Sequence, residues 1–366
     1  MQALILAGGE GTRLRPLTST VPKPVVPLVD RPFAAYMLEW LRRHGVDEVV
    51  MSCGFLAQGV SSVLGDGSRY GLRLSYVEEP RPLGTAGAVK FAEALLDERF
   101  LVLNGDVLTD LDLTAQIAQH AESGARATLA LVPVEDPTGY GLVELDDGGA
   151  VRDFVEKPSS GTGGPHLINA GAYVLEREVL GLMATDQNVS IEREVFPLLI
   201  GDGLYGVPAE GYWLDIGTPE RYLQGTFDIL DGGVSTAVGE RLDATNVAVA
   251  DDVKIDGRVV APALVERGCR VGPGSQVGAR AVLGRHVTVG ASTRIEGSVV
   301  LEGAAVGDDC VLSDCIVGPG ARIGDRCTIA RGVVLGEGVT IGDGNVLESG
   351  ARLFPGTHVP AEAAAS

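Results

Sequence analysis

The 366-residue sequence has little positive charge, few cysteines and no long apolar run. Its formal net charge of −20 disfavours nucleic acid and anionic membranes as partners, because both would be repelled. The five cysteines include no Cys-x-x-Cys pair, which fits reduced thiols packed as small apolar residues. The first apolar run is too short for a signal peptide or a membrane helix. We therefore expect a cytoplasmic protein.

Lysine is also scarce, since only four of the 29 basic side chains are lysine. Two of the four, Lys23 and Lys157, lie in short motifs flanked by proline. This placement indicates a compact ammonium group where a guanidinium would not serve. In so acidic a chain, a phosphorylated small substrate needs locally concentrated cations or a metal ion to bind.

A glycine-rich segment follows the first predicted strand at residues 2–6. Residues 6–16 read Leu-Ala-Gly-Gly-Glu-Gly-Thr-Arg-Leu-Arg-Pro, and Pro-Lys-Pro follows at 22–24. The glycines let the main chain turn sharply and present N–H groups to phosphate oxygens, and Arg13 and Lys23 add positive charge. No Walker A lysine follows, and Leu14 stands where a dinucleotide fingerprint needs glycine. The segment predicts a nucleoside triphosphate site, although the glycines alone also fit a simple turn.

The first 230 residues alternate between strand and helix patterns. Strands are predicted over 48–52, 72–77 and 100–104, with helices near 55–64 and 85–96 between them. This order predicts a mainly parallel sheet covered on both faces. Ligands of such sheets bind beyond the carboxyl ends of the strands, where the glycine segment and the sequence Asn-Gly-Asp at 104–106 both lie.

From about residue 253 the sequence repeats with a period of six, which fits neither a helix nor a simple strand. Such a period is typical of a coil whose flat faces each bury one aliphatic residue, and it predicts a parallel β-helix. The sequence resembles the hexapeptide-repeat family, which implies three hexads per turn and therefore about six coils. Val306 and Leu312 mark two one-residue slips, interpreted as a bulged turn or loop. The remaining aliphatic positions are Val265, Val271, Val277, Leu283, Val289, Ile295 and Leu301 in one phase, and Val317, Ile323, Ile329, Leu335, Ile341, Leu347 and Leu353 in another.

The glycine segment with its Pro-Lys-Pro resembles the signature of the sugar-1-phosphate nucleotidyltransferases. The resemblance implies a Rossmann-like α/β nucleotidyltransferase domain over residues 1–230, a linker over 231–250 and a left-handed parallel β-helix of hexapeptide repeats over 251–366. It implies a nucleoside triphosphate and a sugar 1-phosphate as substrates, with release of pyrophosphate. The implied nucleotide-binding residues are Leu6, Ala7, Gly8, Gly9, Gly11, Thr12, Arg13, Lys23, Glu79, Gly84 and Thr85.

The reaction of this family needs no catalytic base, because a phosphate monoester with a second pKa of about 6 is already largely ionised at pH 7. Catalysis then consists of positioning and electrostatic stabilisation. The resemblance assigns these roles to Arg13, Lys23, Asp106 and Asp215, and it makes the two aspartates ligands of Mg²⁺, a cation that prefers carboxylate and phosphate oxygens. Taken alone, either aspartate also fits a turn or helix cap.

Further motifs match the sugar side of the family. Glu156-Lys157-Pro158 corresponds to the segment in which a glutamate bonds sugar hydroxyls and a lysine meets the sugar phosphate. Gly141 and the stretch from Asn169 to Gly171 match the other sugar contacts. An exposed ion pair is the alternative for Glu156 and Lys157.

Glu79 is the residue predicted to select the base of the nucleotide substrate. Pyrimidine-selective relatives have glutamine at the matching position, whereas an ionised carboxylate only accepts hydrogen bonds, which suits the ring N–H and exocyclic amine of guanine. A solvated surface glutamate is the alternative. The carboxylate thus favours GTP, and the resemblance over residues 1–230 together with the hexad tail implies mannose 1-phosphate as the second substrate. A glucose-1-phosphate uridylyl- or thymidylyltransferase and a non-catalytic regulatory paralogue stay open.

Hexapeptide coils also occur in acyltransferases that use a histidine between subunits. His286 and His358 lie in or beyond the hexads, but neither has a recognisable partner, so a turn or surface histidine is favoured. The long flat faces of the coil predict self-association into a homo-oligomer.

Overall fold

The computed structural model describes residues 1–159, 165–242 and 244–361, which divide into two compact units. The first unit contains Met1–Glu10 and Ala34–Trp213, and the second contains Gly11–Phe33 and the chain from Leu214 onward. The segment that carries Arg13 and Lys23 therefore belongs to the same compact unit as the hexapeptide repeats. These units do not follow chain order, so the linear boundaries at 230 and 250 stay a prediction.

The helices are α1 (Phe33–Arg43), α2 (Ala57–Leu64), α3 (Gly84–Phe91), α4 (Leu113–Ser123), α5 (Phe196–Leu199) and α6 (Pro219–Leu230). The strands up to residue 215 are β1 (Gln2–Ala7), β2 (Pro27–Leu28), β3 (Arg31–Pro32), β4 (Glu48–Cys53), β5 (Arg73–Glu78), β6 (Arg99–Asn104), β7 (Val107–Thr109), β8 (Ala127–Val134), β9 (Gly141–Leu145), β10 (Val151–Glu156), β11 (His166–Glu176), β12 (Leu204–Pro208) and β13 (Trp213–Asp215).

A nine-stranded sheet forms the centre of the first unit, with the order β10-β9-β11-β6-β1-β4-β5 and with β8 joining β11 to β12. The strands β6, β1, β4 and β5 pair in parallel, as the alternating pattern predicted. On the other side of β6, β11 pairs antiparallel with β6 and β8, so the whole sheet is mixed. The carboxyl ends of β1 and β6 meet, because the N–H of Gly105 donates to the carbonyl of Leu6 at 2.9 Å.

The second unit contains three stacks of short parallel strands, consistent with the predicted left-handed β-helix. Its interior is aliphatic and buried at the six-residue spacing. The first stack has Val247–Val249, Ala263–Val265, Ala281–Leu283, Val299–Val300, Ile316–Val317, Val334–Leu335 and Arg352–Leu353. The second has Lys254–Ile255, Arg270–Val271, Thr288–Val289, Ala305–Val306, Arg322–Ile323, Thr340–Ile341 and His358–Val359. The third has Arg258–Val259, Gln276–Val277, Arg294–Glu296, Val311–Ser313, Thr328–Ile329 and Val346–Leu347.

The first of the two predicted slips was placed one repeat too late. Leu283 pairs with Val300 and not with Leu301, so the spacing shortens before residue 300. The second shortening comes after Leu312, where the next inward residue is Val317, as predicted. Neither slip is a bulge. Both corners are one residue shorter and contain a residue in the left-handed region, Gly297 at φ 55° and Asp314 at φ 46°.

The histidines of the repeats lie in turn and edge positions. His286 has φ 59° and lies at a corner against Gly268, and His358 begins the last strand of the second stack. Within the described residues, no helix is long and apolar enough to cross a membrane.

Candidate active site

The glycine loop begins in the first unit, where Gly8 is enclosed by main chain and carboxylate. A Cβ placed on Gly8 would lie 2.7 Å from Glu79 Oε1, and one placed on Gly54 would lie 2.6 Å from the Gly8 carbonyl oxygen. A Cβ on Gly9, in contrast, would meet nothing within 4 Å. The main chain of Gly8 therefore packs closely against Gly54 and lies against the Glu79 carboxylate, while Gly9 is exposed. Leu6 and Ala7 belong to strand β1 and lead into this turn.

Glu79 lies beneath the loop with both carboxylate oxygens held. Ser52 Oγ donates to Oε1 at 2.9 Å, and the N–H of Leu83 donates to Oε2 at 3.4 Å. Burial raises the pKa of Glu79, and the two donated hydrogen bonds oppose that rise. A carboxylate has about four acceptor positions, so these bonds leave room for a donor from a ligand.

The second unit contains Arg13 and Lys23, the cations predicted to bind the nucleotide phosphates. Gly11 has φ 62°, a left-handed conformation that glycine adopts without strain, and Thr18 Oγ1 donates to its carbonyl at 2.8 Å. Thr12 and Arg13 then form a short 3₁₀ turn that ends at Leu14. Lys23 lines a small apolar pocket of this unit together with Leu14, Val26, Leu28, Phe33, Ile216 and Tyr222.

Asp215 belongs to this same unit, and Arg13 reaches its neighbourhood. A Cβ placed on Gly217, two residues after Asp215, would lie 2.8 Å from Nη2 of Arg13. Asp215 also forms an ion pair with Arg221 on helix α6. Thr218 caps that helix by accepting the N–H of Arg221. The unit therefore places Arg13 against Gly217, two residues after Asp215, and pairs Asp215 with Arg221. No sequence motif had indicated Arg221.

Asp106 follows directly from the close contact between β6 and β1. A Cβ on Gly105 would lie 2.5 Å from the Leu6 carbonyl oxygen, so only glycine permits this approach. Asp106 is consequently placed next to the end of the strand that leads into the glycine loop. Trp213, two residues before Asp215, donates its indole N–H to the Ala170 carbonyl at 2.8 Å in the first unit.

The predicted sugar-side residues lie close to one another in the first unit. A Cβ on Gly141 would lie 3.1 Å from Glu156 Oε2, and Lys157 Nζ lies 3.9 Å from Glu156 Oε1. Burial raises the pKa of Glu156, and the negative charge of Glu192 adds to that rise. Lys157 is exposed and has φ 55°.

Asn169 and Gly171 belong to a hydrogen-bonded network on strand β11. Asn169 accepts the N–H of Gly171 at 2.9 Å and donates to Tyr173 Oη at 2.9 Å, and Tyr173 in turn donates to Glu192 at 3.3 Å. Thr85 also donates to Glu192, at 2.7 Å. The structure therefore places Thr85 beside the sugar-side residues, where its hydroxyl holds Glu192.

Gly84 supports this arrangement at the start of helix α3. It has φ 70°, and a Cβ placed there would lie 2.5 Å from the Val189 carbonyl oxygen. Glu192 itself had no signal in the sequence, because it follows no glycine or proline motif and becomes important only through contacts from distant segments.

The donors available for a metal ion are carboxylate oxygens. The predicted donors, Asp106 in the first unit and Asp215 in the second, each carry a carboxylate, a ligand that a hard divalent cation takes together with phosphate oxygens and waters. The described residues contain no group of three or more His, Cys, Asp or Glu side chains that could hold a metal by themselves. This donor set suits an ion that arrives with the phosphates of a nucleotide.

Comparison with known proteins decides the family. The model of the nucleotidyl transferase family matches residues 2–232, and that of the GMPPB C-terminal domain matches residues 259–363. The chain belongs to the nucleotidyl transferase family. It is an enzyme of the sugar-1-phosphate nucleotidyltransferase type, which confirms the family resemblance stated from the sequence.

Two curated relatives of this nucleotidyl transferase cover most of the chain. One is the mannose-1-phosphate guanylyltransferase of Mycobacterium tuberculosis, 37% identical over 85% of this chain and 83% of that protein. Another is the UTP–glucose-1-phosphate uridylyltransferase of Synechocystis, 32% identical over 78% of this chain and 88% of that protein.

A solved structure also resembles this transferase. The crystal structure of HddC from Yersinia pseudotuberculosis has a TM-score of 0.53 and 30% identity, covering 61% of this chain and 96% of that one. HddC has also been solved in complex with GMP-PN, with a TM-score of 0.53, 29% identity and the same coverage of both chains.

Proposed function

We propose that this protein transfers a guanylyl group from GTP to mannose 1-phosphate, forming GDP-mannose and releasing pyrophosphate. The observation that carries the choice of guanine is the Glu79 carboxylate, which lies directly beneath Gly8 of the nucleotide loop. The similarity to the guanylyltransferase of M. tuberculosis supports the same choice. The Synechocystis relative makes UTP and glucose 1-phosphate the second candidate pair.

In this proposal Glu79 accepts hydrogen bonds from the ring N–H and exocyclic amine of guanine. Uracil and thymine present a carbonyl oxygen where guanine presents donors, and an ionised carboxylate cannot donate to it. Ser52 and Leu83 fix the carboxylate, so little side-chain entropy is lost when the base binds.

Binding of the nucleotide phosphates is assigned to Arg13, Lys23 and the main chain at Gly9 and Gly11. Arg13 and Lys23 stabilise the charge that develops on the departing pyrophosphate, and fixed cations are most effective there because they need no reorganisation during the reaction. Asp106 and Asp215 would hold Mg²⁺, which supplies Lewis-acid stabilisation of the phosphoryl oxygens when bound.

The sugar phosphate is assigned to the residues around β11. Glu156 and Asn169 are offered to the sugar hydroxyls, and the Lys157 ammonium to the phosphate. Because Lys157 is exposed and its ion pair with Glu156 is long, at 3.9 Å, its ammonium can turn toward a phosphate at low cost.

A panel of substrates tests the proposal. Pyrophosphate release with Mg²⁺ is measured for GTP, ATP, UTP and dTTP, each with mannose 1-phosphate and with glucose 1-phosphate. The proposal expects the highest kcat/KM for GTP with mannose 1-phosphate. A preference for UTP with glucose 1-phosphate would establish the second candidate, and no release with any pair would indicate a binding protein without catalysis.

Glu79→Gln tests the assignment of the base. Glutamine keeps the shape of the side chain and adds a donor, so we expect the ratio of kcat/KM for UTP over GTP to rise at least about tenfold, the equivalent of about one hydrogen bond. The matched control is Glu78→Gln, since Glu78 is the exposed neighbour at the end of β5. An unchanged nucleotide profile in Glu79→Gln would refute this account of base choice.

Ser52→Ala tests the ionised state of Glu79. Burial raises the pKa of Glu79 and the Ser52 hydrogen bond lowers it, so removing the hydroxyl raises that pKa further. GTP affinity falls as pH drops through the pKa, because the protonated carboxyl no longer accepts from guanine. We therefore expect the acid limb of GTP affinity, measured calorimetrically, to move to higher pH in Ser52→Ala.

The exposed control Ser62→Ala removes only a bond to the Gln58 carbonyl within helix α2 and should leave the limb in place. The protonation of GTP itself contributes equally in the wild type, Ser52→Ala and Ser62→Ala. If GTP affinity falls at the same acidic pH in all three proteins, the proposed role of Glu79 is contradicted.

We also propose a cytoplasmic location and self-association as a homo-oligomer. The cysteines Cys53, Cys269, Cys310, Cys315 and Cys327 are all buried thiols, which fits a reducing compartment. Sedimentation analysis of the purified protein measures the subunit number, and a monomer would contradict self-association.

A further inference from the structure

The outer face of the first β-helix stack carries a row of aliphatic residues that ends in an arginine. Strand register places Leu264, Val282, Val299, Ile316 and Val334 one above another, and each of them is fully buried. The next position in the same register is Arg352. A cation therefore stands where the five preceding coils have an apolar side chain.

The guanidinium of Arg352 donates hydrogen bonds to the main chain of residues 11–20, here called the predicted phosphate-binding segment. Its Nη1 donates to the carbonyl oxygens of Arg13 at 3.1 Å and Arg15 at 3.3 Å. Its Nη2 lies 4.0 Å from Glu220 at the start of helix α6. A second contact supports the same segment, because Thr20 Oγ1 donates to Glu337 at 2.8 Å.

One of the bonded carbonyls belongs to Arg13 itself, and the other lies two residues further along the chain. Arg13 lies in the 3₁₀ turn Thr12–Leu14 and is exposed, and its guanidinium rests against Gly217 beside Asp215. Ordering an exposed arginine is unfavourable in entropy, because its long side chain loses much rotamer freedom. Holding the main chain at Arg13 and on its carboxyl side therefore limits where its guanidinium can go.

We propose that Arg352 is a positioning residue for nucleotidyl transfer, acting from the last coils of the β-helix on the main chain that carries Arg13. This inference rests on the role proposed above for Arg13 and Lys23. Both bonds come from one guanidinium nitrogen, whose two N–H groups have directions fixed by the plane of the guanidinium, whereas the donors of a lysine rotate about a flexible stem. The β-helix thereby contributes to substrate affinity without touching the substrate.

Arg352→Ala tests the proposal in two independent ways. The first is steady-state kinetics, where we expect KM for the nucleotide to rise about tenfold while KM for the sugar phosphate stays unchanged. Arg352→Lys should be intermediate. The matched control is Arg322→Ala, an exposed arginine on the second stack. Equal effects of Arg352→Ala on both substrates would overturn the proposal.

The second test is amide hydrogen exchange without substrate, so it does not depend on any activity. The amides of Leu14, Arg15, Leu17 and Ser19 bond to carbonyls within the segment, and their exchange reports its opening. In Arg352→Ala we expect faster exchange here and unchanged exchange at Val334 in the preceding coil. Unchanged exchange in the segment would sink the inference, even if the substrate panel confirms the proposed reaction.

Thr20→Val keeps the test valid if Arg352→Ala does not fold. It removes the bond to Glu337 while preserving side-chain shape, and it should shift exchange and nucleotide KM in the same direction by a smaller factor. If Thr20→Val leaves both measurements at wild-type values, the β-helix does not hold this segment. If wild-type protein turns over no substrate but the exchange result appears, the proposed function fails and the structural coupling stands.

Discussion

Asp106→Ala is expected to lower Mg²⁺-dependent kcat/KM by about a thousandfold while the protein stays folded. A metal-held contact to the reacting phosphate contributes several kcal/mol to the transition state, and each ~1.4 kcal/mol is about tenfold in rate. Folding should persist because the close approach of β6 to β1 depends on Gly105 and not on the carboxylate. Initial rates over a range of Mg²⁺ concentrations measure the loss, and added Mg²⁺ should not restore it.

The control for this variant is Glu122→Ala, which removes an exposed carboxylate from helix α4. Its activity should match the wild type, since a surface charge far from any motif contributes little. Asp106→Ala with wild-type turnover and an unchanged Mg²⁺ dependence would remove Asp106 from the metal site.

Lys23→Met is expected to lower kcat/KM by about a hundredfold to a thousandfold, the effect of removing one donor that stabilises developing negative charge. Methionine preserves the aliphatic stem, which lines a small apolar pocket together with residues such as Leu14, Ile216 and Tyr222. The fold should therefore be kept and only the ammonium lost. The loss should appear in pyrophosphate release at saturating sugar phosphate.

A matched change is available at Lys254, an exposed lysine on the second β-helix stack. Lys254→Met alters the net charge by the same amount and should leave kcat/KM unchanged. If both variants lose activity equally, the effect of Lys23→Met reflects overall charge and not a contact to phosphate.

Local sequence patterns predicted the elements that depend on local physics. The apolar runs of β4, β5 and β6 and the glycines at the ends of β1 and β6 are visible without knowledge of the fold. The hexads predicted the β-helix because each coil repeats the same burial requirement. The misplacement of Leu301 had a physical cause, since Leu301 and Val300 are both apolar and buried, and only the pairing of Val300 with Leu283 decides which one faces inward.

The long-range partners could not be predicted in this way. Glu192 is bonded by Thr85 and Tyr173, Arg221 pairs with Asp215, and Arg352 reaches Arg13 across more than three hundred positions of the chain. Glu192, Arg221 and Arg352 lie in none of the motifs that the sequence analysis identified. Their roles follow from tertiary contacts, and a single sequence carries no record of those.

The position of Arg352 at the end of its row depends on the number of coils in the β-helix. Neighbouring coils are separated by the spacing of paired strands, about 4.8 Å. Deleting or inserting a whole coil would preserve every buried aliphatic row, yet it would displace this arginine by that step, which is larger than the 3.1 Å that joins it to the Arg13 carbonyl. Coils are therefore interchangeable for folding, but their number is fixed by the distance that the final arginine has to span.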